Sequence, residues 1–200
     1  MTTTDTNLDF LFDFIKFSAQ LRFITRNNNA TADRKESVAE HSWHLALVSW
    51  VLHKAFEEEF DIKISQERMI KMCLMHDLVE ISVGDVSTWK PEERVGKASK
   101  EEAAAQQIFS KLPSDLADEM LSLWHEFEKG ETLESKIARG IDRVNPALMR
   151  MLTGQGWSDV DGDVQHLDHI QLPRLEFSFI LKELYESIKD ESLAAGLLKP

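Results

Sequence analysis

The sequence predicts an all-α protein, and three observations carry that prediction. Apolar residues recur at intervals of three and four along most of the chain. Helix-start residues stand in front of several of these stretches. No stretch alternates apolar and polar residues convincingly enough for a strand. The expected architecture is a single bundle-like domain of about seven helices.

The chain has 200 residues, which fits one domain. We place that domain at 8–190, between a polar, Thr-rich tail at 1–7 and a weak tail at 191–200. The formal charge is −12 and no basic run exists, so a nucleic acid polymer is not an expected partner. A small phosphorylated ligand needs only one or two local cations and stays open. The single cysteine, Cys73, excludes an internal disulfide. The apolar runs are short and broken by charges, so we expect no signal peptide, no membrane contact and a soluble, cytoplasmic protein.

From Leu8 to Ile24 the residues Phe10, Leu11, Phe14, Ile15, Phe17, Leu21 and Ile24 follow a helical period. Residues 27–35, rich in Asn, are expected to be loop. Ser37-Val38-Ala39-Glu40 is a capping box, so a second helix starts there. His41 follows in its first turns and shares a face with Leu45, Val48 and Leu52. His44 shares part of that face, and spacing alone does not separate the two. After an acidic connection at 57–63, Ser65 caps a third helix. Met69, Ile70, Cys73 and Leu74 begin its apolar stripe, and His76, Asp77 and Glu80 finish it. Three ionisable groups pointed inward are costly unless something satisfies them. Gly84 should end that helix and return Asp85 to the same place.

A loop at 86–96, around Trp89, follows and could carry substrate contacts. Helices are expected at 97–111, at 114–130 with Ser114 as cap, and from Thr132 to about Leu152. In the last of these Pro146 crowds the carbonyl of Asp142, so a kink is expected beside an inward acid. Residues 154–172 read as a polar excursion with His166 and His169 facing solvent. Asp159, Asp161 and Asp163 have the start of a calcium-loop spacing. The glycine is misplaced, however, and Ile170 stands where a bidentate Glu is needed, so that reading is rejected. A final helix is expected at 174–189.

His41, His76, Asp77 and Asp142 thus come from three helices, each on or near an inward face. Two imidazoles and two carboxylates suit one divalent cation such as Mn, Co, Fe or Zn. Glu80 and Asp85 would stand near the cation without holding it, as acids and bases.

Three stretches carry a family resemblance: Glu-Ser-Val-Ala-Glu-His41-Ser-Trp, Met-His76-Asp77-Leu-Val-Glu80-Ile-Ser-Val-Gly84-Asp85 and Ile-Asp142-Arg-Val-Asn-Pro-Ala-Leu. Together they resemble the HD superfamily of metal-dependent phosphohydrolases, in particular its bacterial branch of 5′-deoxynucleotidases, from about Leu21 to Thr153. The resemblance implies a metal on His41, His76, Asp77 and Asp142. It also implies that Glu80 and Asp85 act on the attacking water and the proton transfers. Arg26 stands about where those nucleotidases place an Arg near the phosphate. They follow it with a Trp against the sugar, where this chain has Asn27. The implied activity is release of phosphate from nucleoside 5′-monophosphates, and the implied assembly is a homodimer. Two other functions are weighed: phosphodiester or dimetal oxidative chemistry, which would need His44, Glu80 or Asp85 as further ligands, and a non-catalytic nucleotide-sensing module.

Overall fold

The computed structural model describes residues 3–86, 92 and 95–200, with the side chains of 3–7 left aside. It is helical almost throughout. Helix α1 covers Thr3–Ser18, α2 Val38–Phe60, α3 Gln66–Met75 and the short α4 Glu80–Val83. Helix α5 covers Lys97–Phe109, α6 Ser114–Lys129, α7 Leu133–Leu152, α8 Val164–Leu175 and α9 Phe179–Ala194. Helix α7 is the centre of the bundle and packs on α2, α3, α6 and α9. Ile137, Ala138 and Ile141 of α7 are buried with Leu45, Phe56, Met69, Met72, Leu181 and Tyr185 in one core. The α7–α9 approach depends on Gly140. A Cβ there would lie 2.4 Å from Leu181 Cδ1, so any other residue would force the Leu181 side chain to shift.

The caps read from the sequence explain where the central helices begin. Ser37 Oγ accepts from the Glu40 N–H, and Glu40 Oε2 accepts from the Ser37 N–H at 2.9 Å, which starts α2. Ser65 and Thr132 likewise accept from Arg68 N and Ser135 N to start α3 and α7. Helix α6 instead begins at Ser114 after Pro113, with no side-chain cap. Helix α7 continues through Pro146.

Several expectations are corrected. The first helix is displaced: α1 ends at Ser18, and a 3-10 turn over Ala19–Phe23 follows. Phe10 and Ile15, expected inward, are exposed, whereas Phe14 and Phe17 pack on the core. Residues 27–35 are not loop. They belong to an antiparallel hairpin of β1 (Thr25–Thr31) and β2 (Arg34–Ser37), with Thr25 opposite Ser37 and irregular register beyond. The hairpin has no apolar face to betray it. Its polar groups are satisfied by a distant part of the chain: Asn28 Nδ2 donates to the Pro146 carbonyl at 3.2 Å, and Asn29 N donates to Gln155 Oε1 at 2.8 Å.

The excursion at 154–172 contains α8, capped by Asp163, whose side chain accepts from His166 N. Leu167 and Leu175 bury its inner side, and His166 and His169 are exposed. The expected helix at 174–189 is therefore two: α8 ends at Leu175, and α9 starts afresh under a Ser178 cap. Beyond α9 the chain folds back, with Leu198 buried and the Leu197 carbonyl accepting from Trp157 N. The loop expected around Trp89 falls on residues 87–91 and 93–94, outside the described residues.

Candidate metal centre and active site

Three elements deliver the site. The α2 cap places His41 one turn into that helix, fully buried. Helix α3 ends at Met75, one residue earlier than a continuous helix would require. The chain then tightens into a 3-10 turn over His76–Val79 before α4. His76 and Asp77 therefore lie in this turn rather than in the last turns of α3. At Gly84 the backbone has φ +78, open to glycine but strained for other residues, and the turn it makes carries Asp85 to the cleft. Asp142 comes from the middle of α7.

The four residues face one another. His41 Nε2 lies 3.0 Å from Asp142 Oδ1, and His76 Nε2 lies 3.1 Å from Asp77 Oδ2 and 4.0 Å from Asp142 Oδ1. His41, His76 and Asp77 offer one ligand atom each, all within 4.8 Å of one another. Both imidazoles are oriented from behind. His76 Nδ1 donates to the Cys73 carbonyl at 3.0 Å, and His41 Nδ1 donates to Asn145 Oδ1 at 3.1 Å. In the neutral rings a proton at Nδ1 leaves Nε2 as a lone pair facing a carboxylate, the form a cation would use. Lone pair against carboxylate is repulsive unless a positive charge lies between them.

Two features show that the pocket draws positive charge. His76 Nε2 is buried without a hydrogen-bond partner. Burial alone would lower the affinity of His76 for a proton, but Asp77 and Asp142 raise it. Asp77 would be pushed up by burial, yet His76, Arg26 and His41 hold it down at about 2. Ligands about 2.1 Å from one small cation sit about 3 Å apart when adjacent, as these donors do. The group His41, His76 and Asp77 thus fits a divalent cation, with Asp142 Oδ1 beside it at 3.0 Å from His41 Nε2.

The surrounding groups complete a polar cleft lined by Arg26, Asn27, His76, Asp77, Glu80, Asp85, Lys97 and Asp142, among others. Arg26 Nη1 donates to Asp77 Oδ2 at 3.2 Å. Glu80 is buried. Burial, then Asp77 and Asp85, push its carboxyl up to about 10, with Arg26 and Lys97 opposing. Burial among these acids favours the neutral form of Glu80 in the metal-free protein. Lys97 Nζ stands 3.8 Å from Glu80 Oε1 and 2.7 Å from Glu101 Oε1. Asn27 is exposed at the cleft and lies 3.5 Å from Asp159 Oδ2.

His44 is not among the converging donors. Its Nδ1 accepts from Asn145 Nδ2 at 2.6 Å, a role that needs the neutral ring, and burial lowers its pKa in that direction. Sequence reasoning missed two residues. Asn145 bridges His41 and His44, and its spacing of three from Asp142 on one helix was a usable signal. Glu36 is buried with Oε2 3.4 Å from Arg26 Nε. Nothing in its local sequence marked it, because a Glu beside a capping box reads as surface.

A helical bundle presenting paired His and Asp ligands beside an arginine defines a metal-site protein. The family model described as HD domain matches residues 18–179. This chain belongs to the HD domain family. Among curated proteins it is 29% identical over 140 residues to the human protein named 5′-deoxynucleotidase HDDC2, covering 69% of this chain and 65% of that one. It is 30% identical over 142 residues to the Danio rerio protein of the same name, covering 68% of this chain and 66% of that one. The match thus spans just under two-thirds of the length of these relatives. Among solved structures, a predicted metal-dependent phosphohydrolase from Magnetospirillum magnetotacticum superposes with a TM-score of 0.87 at 32% identity. It covers 100% of this chain and 99% of that one.

Proposed function

We propose that this protein is a metal-dependent phosphomonoesterase acting on nucleoside 5′-monophosphates. The observation that carries the reading is the convergence of two Nε2 lone pairs and two carboxylates beside Arg26. The relatives named 5′-deoxynucleotidase supply the substrate class. His41, His76, Asp77 and Asp142 would hold one cation: Mn, Co, Fe or Zn. When bound, such a cation polarises a phosphoryl oxygen and lowers the pKa of water.

The chain's own residues do the rest. Arg26, a permanent cation at the cleft, steadies the phosphate. Asp85 takes the proton of the water that attacks phosphorus opposite the leaving oxygen and passes it on to that oxygen as the P–O bond breaks, releasing the nucleoside and phosphate. Glu80, buried beside Asp77 and Asp85, holds the network of the site and keeps its charge low. The engagement of His44 by Asn145 weighs against a second metal at this position.

We further propose that the catalytic domain spans 8–190 and that the protein works in the cytoplasm as a homodimer. Trp43, Leu47 and Trp50 lie on one face of α2 and are exposed, which supports an apolar contact between copies. Sedimentation equilibrium tests the dimer, and a monomer at micromolar concentration would refute it.

The test of the function is phosphate release from a panel of ribo- and deoxynucleoside 5′-monophosphates with Mn, Co, Fe, Zn or no metal. Metal-dependent release is expected, with Asn27 relaxing the preference for deoxyribose. No release from any member, in protein holding one metal per chain, would refute the reading and favour a sensing module.

A further inference from the structure

We infer that Glu36 is the positioning residue that aims Arg26 at the phosphate. The inference rests on the phosphomonoesterase reading for the identity of the anion. Glu36 sits at the end of β2, one residue before the cap of α2, and the pairing of Thr25 with Ser37 sets it beside Arg26. Its Oε2 faces Arg26 Nε at 3.4 Å, and both atoms are buried without a hydrogen bond. A carboxylate 2% exposed is seldom left this way unless it has a task.

Arg26 is held between two carboxylates, Glu36 at Nε and Asp77 at Nη1. Asp77 belongs to the metal donors, so its charge is shared. Glu36 is not one of the metal donors, and its close ion-pair partner is Arg26. A guanidinium with carboxylates at Nε and Nη1 is fixed in plane, which leaves Nη2 as the group turned to an anion. The segment that carries Glu36 also carries the capping box and His41, so the hairpin ties the phosphate site to the metal site. Arg34 pairs closely with Glu40 and acts on Glu36 only at longer range.

Burial pushes the Glu36 carboxyl up to about 7 against the pull of Arg26, so the test is run above that value, with the metal-loaded full chain and the substitution Glu36→Gln, which keeps shape and removes the charge. Calorimetry with inorganic phosphate should show binding weakened about tenfold, the worth of one well-aimed charge-assisted hydrogen bond from Arg26 to the anion. KM should rise by a similar factor while kcat falls less than about threefold, since positioning acts on binding. In an Arg26→Ala background Glu36→Gln should add nothing further to the loss of phosphate binding.

Phosphate binding within about twofold of wild type would overturn the inference, as would a full-sized penalty persisting without Arg26. A melting temperature well below wild type at unchanged metal content would assign Glu36 a structural role and also overturn it. Glu36-dependent phosphate binding in a protein that hydrolyses no nucleotide would uphold this inference while refuting the phosphomonoesterase.

Discussion

Asn145 gives the sharpest test of the metal centre, because it touches His41 and is not itself a proposed ligand. The substitution is Asn145→Ala. It removes the acceptor at 3.1 Å from His41 Nδ1 and the donor at 2.6 Å from His44 Nδ1. His41 is fully buried, so its orphaned N–H would cost about 1–3 kcal/mol. The ring can avoid that cost by moving its proton to Nε2, where Asp142 Oδ1 waits at 3.0 Å. A proton there blocks the lone pair that would bind the cation. Either route should weaken metal binding about 10- to 100-fold, or about 1.4–2.8 kcal/mol. Calorimetric metal titration against a competing chelator measures this, with far-ultraviolet circular dichroism to establish folding. His44→Ala should cost only a few-fold. Metal affinity of Asn145→Ala within about twofold of wild type would refute the orienting role. A His44→Ala variant as metal-poor as His41→Ala would show that His44 is a ligand and the deduced tautomer wrong.

Three further outcomes follow from the same geometry. Asp77→Ala should lose both metal content and turnover, and full activity in metal-stripped protein would sink the mechanism. Asp85→Ala should retain one metal per chain, measured by plasma emission, yet lose most of its turnover; unchanged turnover would remove Asp85 from the proton transfers. The third concerns pH. The folded protein pushes the Glu80 carboxyl from 4.5 up to about 10, first by burial and then through Asp77 and Asp85. A raised carboxyl contributes stability that is full below 4.5 and lost as pH climbs towards 10. Metal-stripped wild type should therefore melt at lower temperature as pH rises from about 5 to about 9, and Glu80→Gln should flatten that slope. A wild-type melting temperature that rises across this interval would contradict the assignment.

The parts of the molecule legible in the sequence are those whose signals are local. The Ser37–Glu40 capping box and the Thr132 cap are four-residue patterns, and both helices begin where those patterns place them. The apolar stripe from Ile137 to Val144 is likewise readable, because α7 buries one continuous side. The hairpin was hidden for the opposite reason. Its partners are Pro146 and Gln155, more than a hundred residues away, and its Asn-rich strand has no propensity of its own. Helix α8 was obscured by polar residues on its outer side, although Asp163 as cap with Leu167 and Leu175 at four and twelve residues beyond it was a usable pattern. The 3-10 turn at His76 has no sequence mark at all. It is imposed from outside, where Trp124 Nε1 donates to the His76 carbonyl at 3.1 Å and Phe127 packs 4.6 Å from the imidazole.

That contrast bears on why the site is where it is. Local rules and tertiary demands agree through α2, α3 and α7, which is the condition for a rigid scaffold. They disagree at the cleft. There an Asn-rich strand carries Arg26, a helix breaks off at His76, and Glu36 and Glu80 are buried acids with an oxygen left unbonded. Each departure costs stability in the metal-free protein, and each places a ligand, a cation or an acid against the same small volume. A fold selected for stability alone would replace Glu36 and Glu80 with neutral side chains. Their substitution by Gln should therefore separate the two demands, with melting temperature at alkaline pH maintained or raised while phosphate binding or turnover falls. A fall in both would mean that these carboxyls serve the scaffold, and the functional argument built on their burial would fail with it.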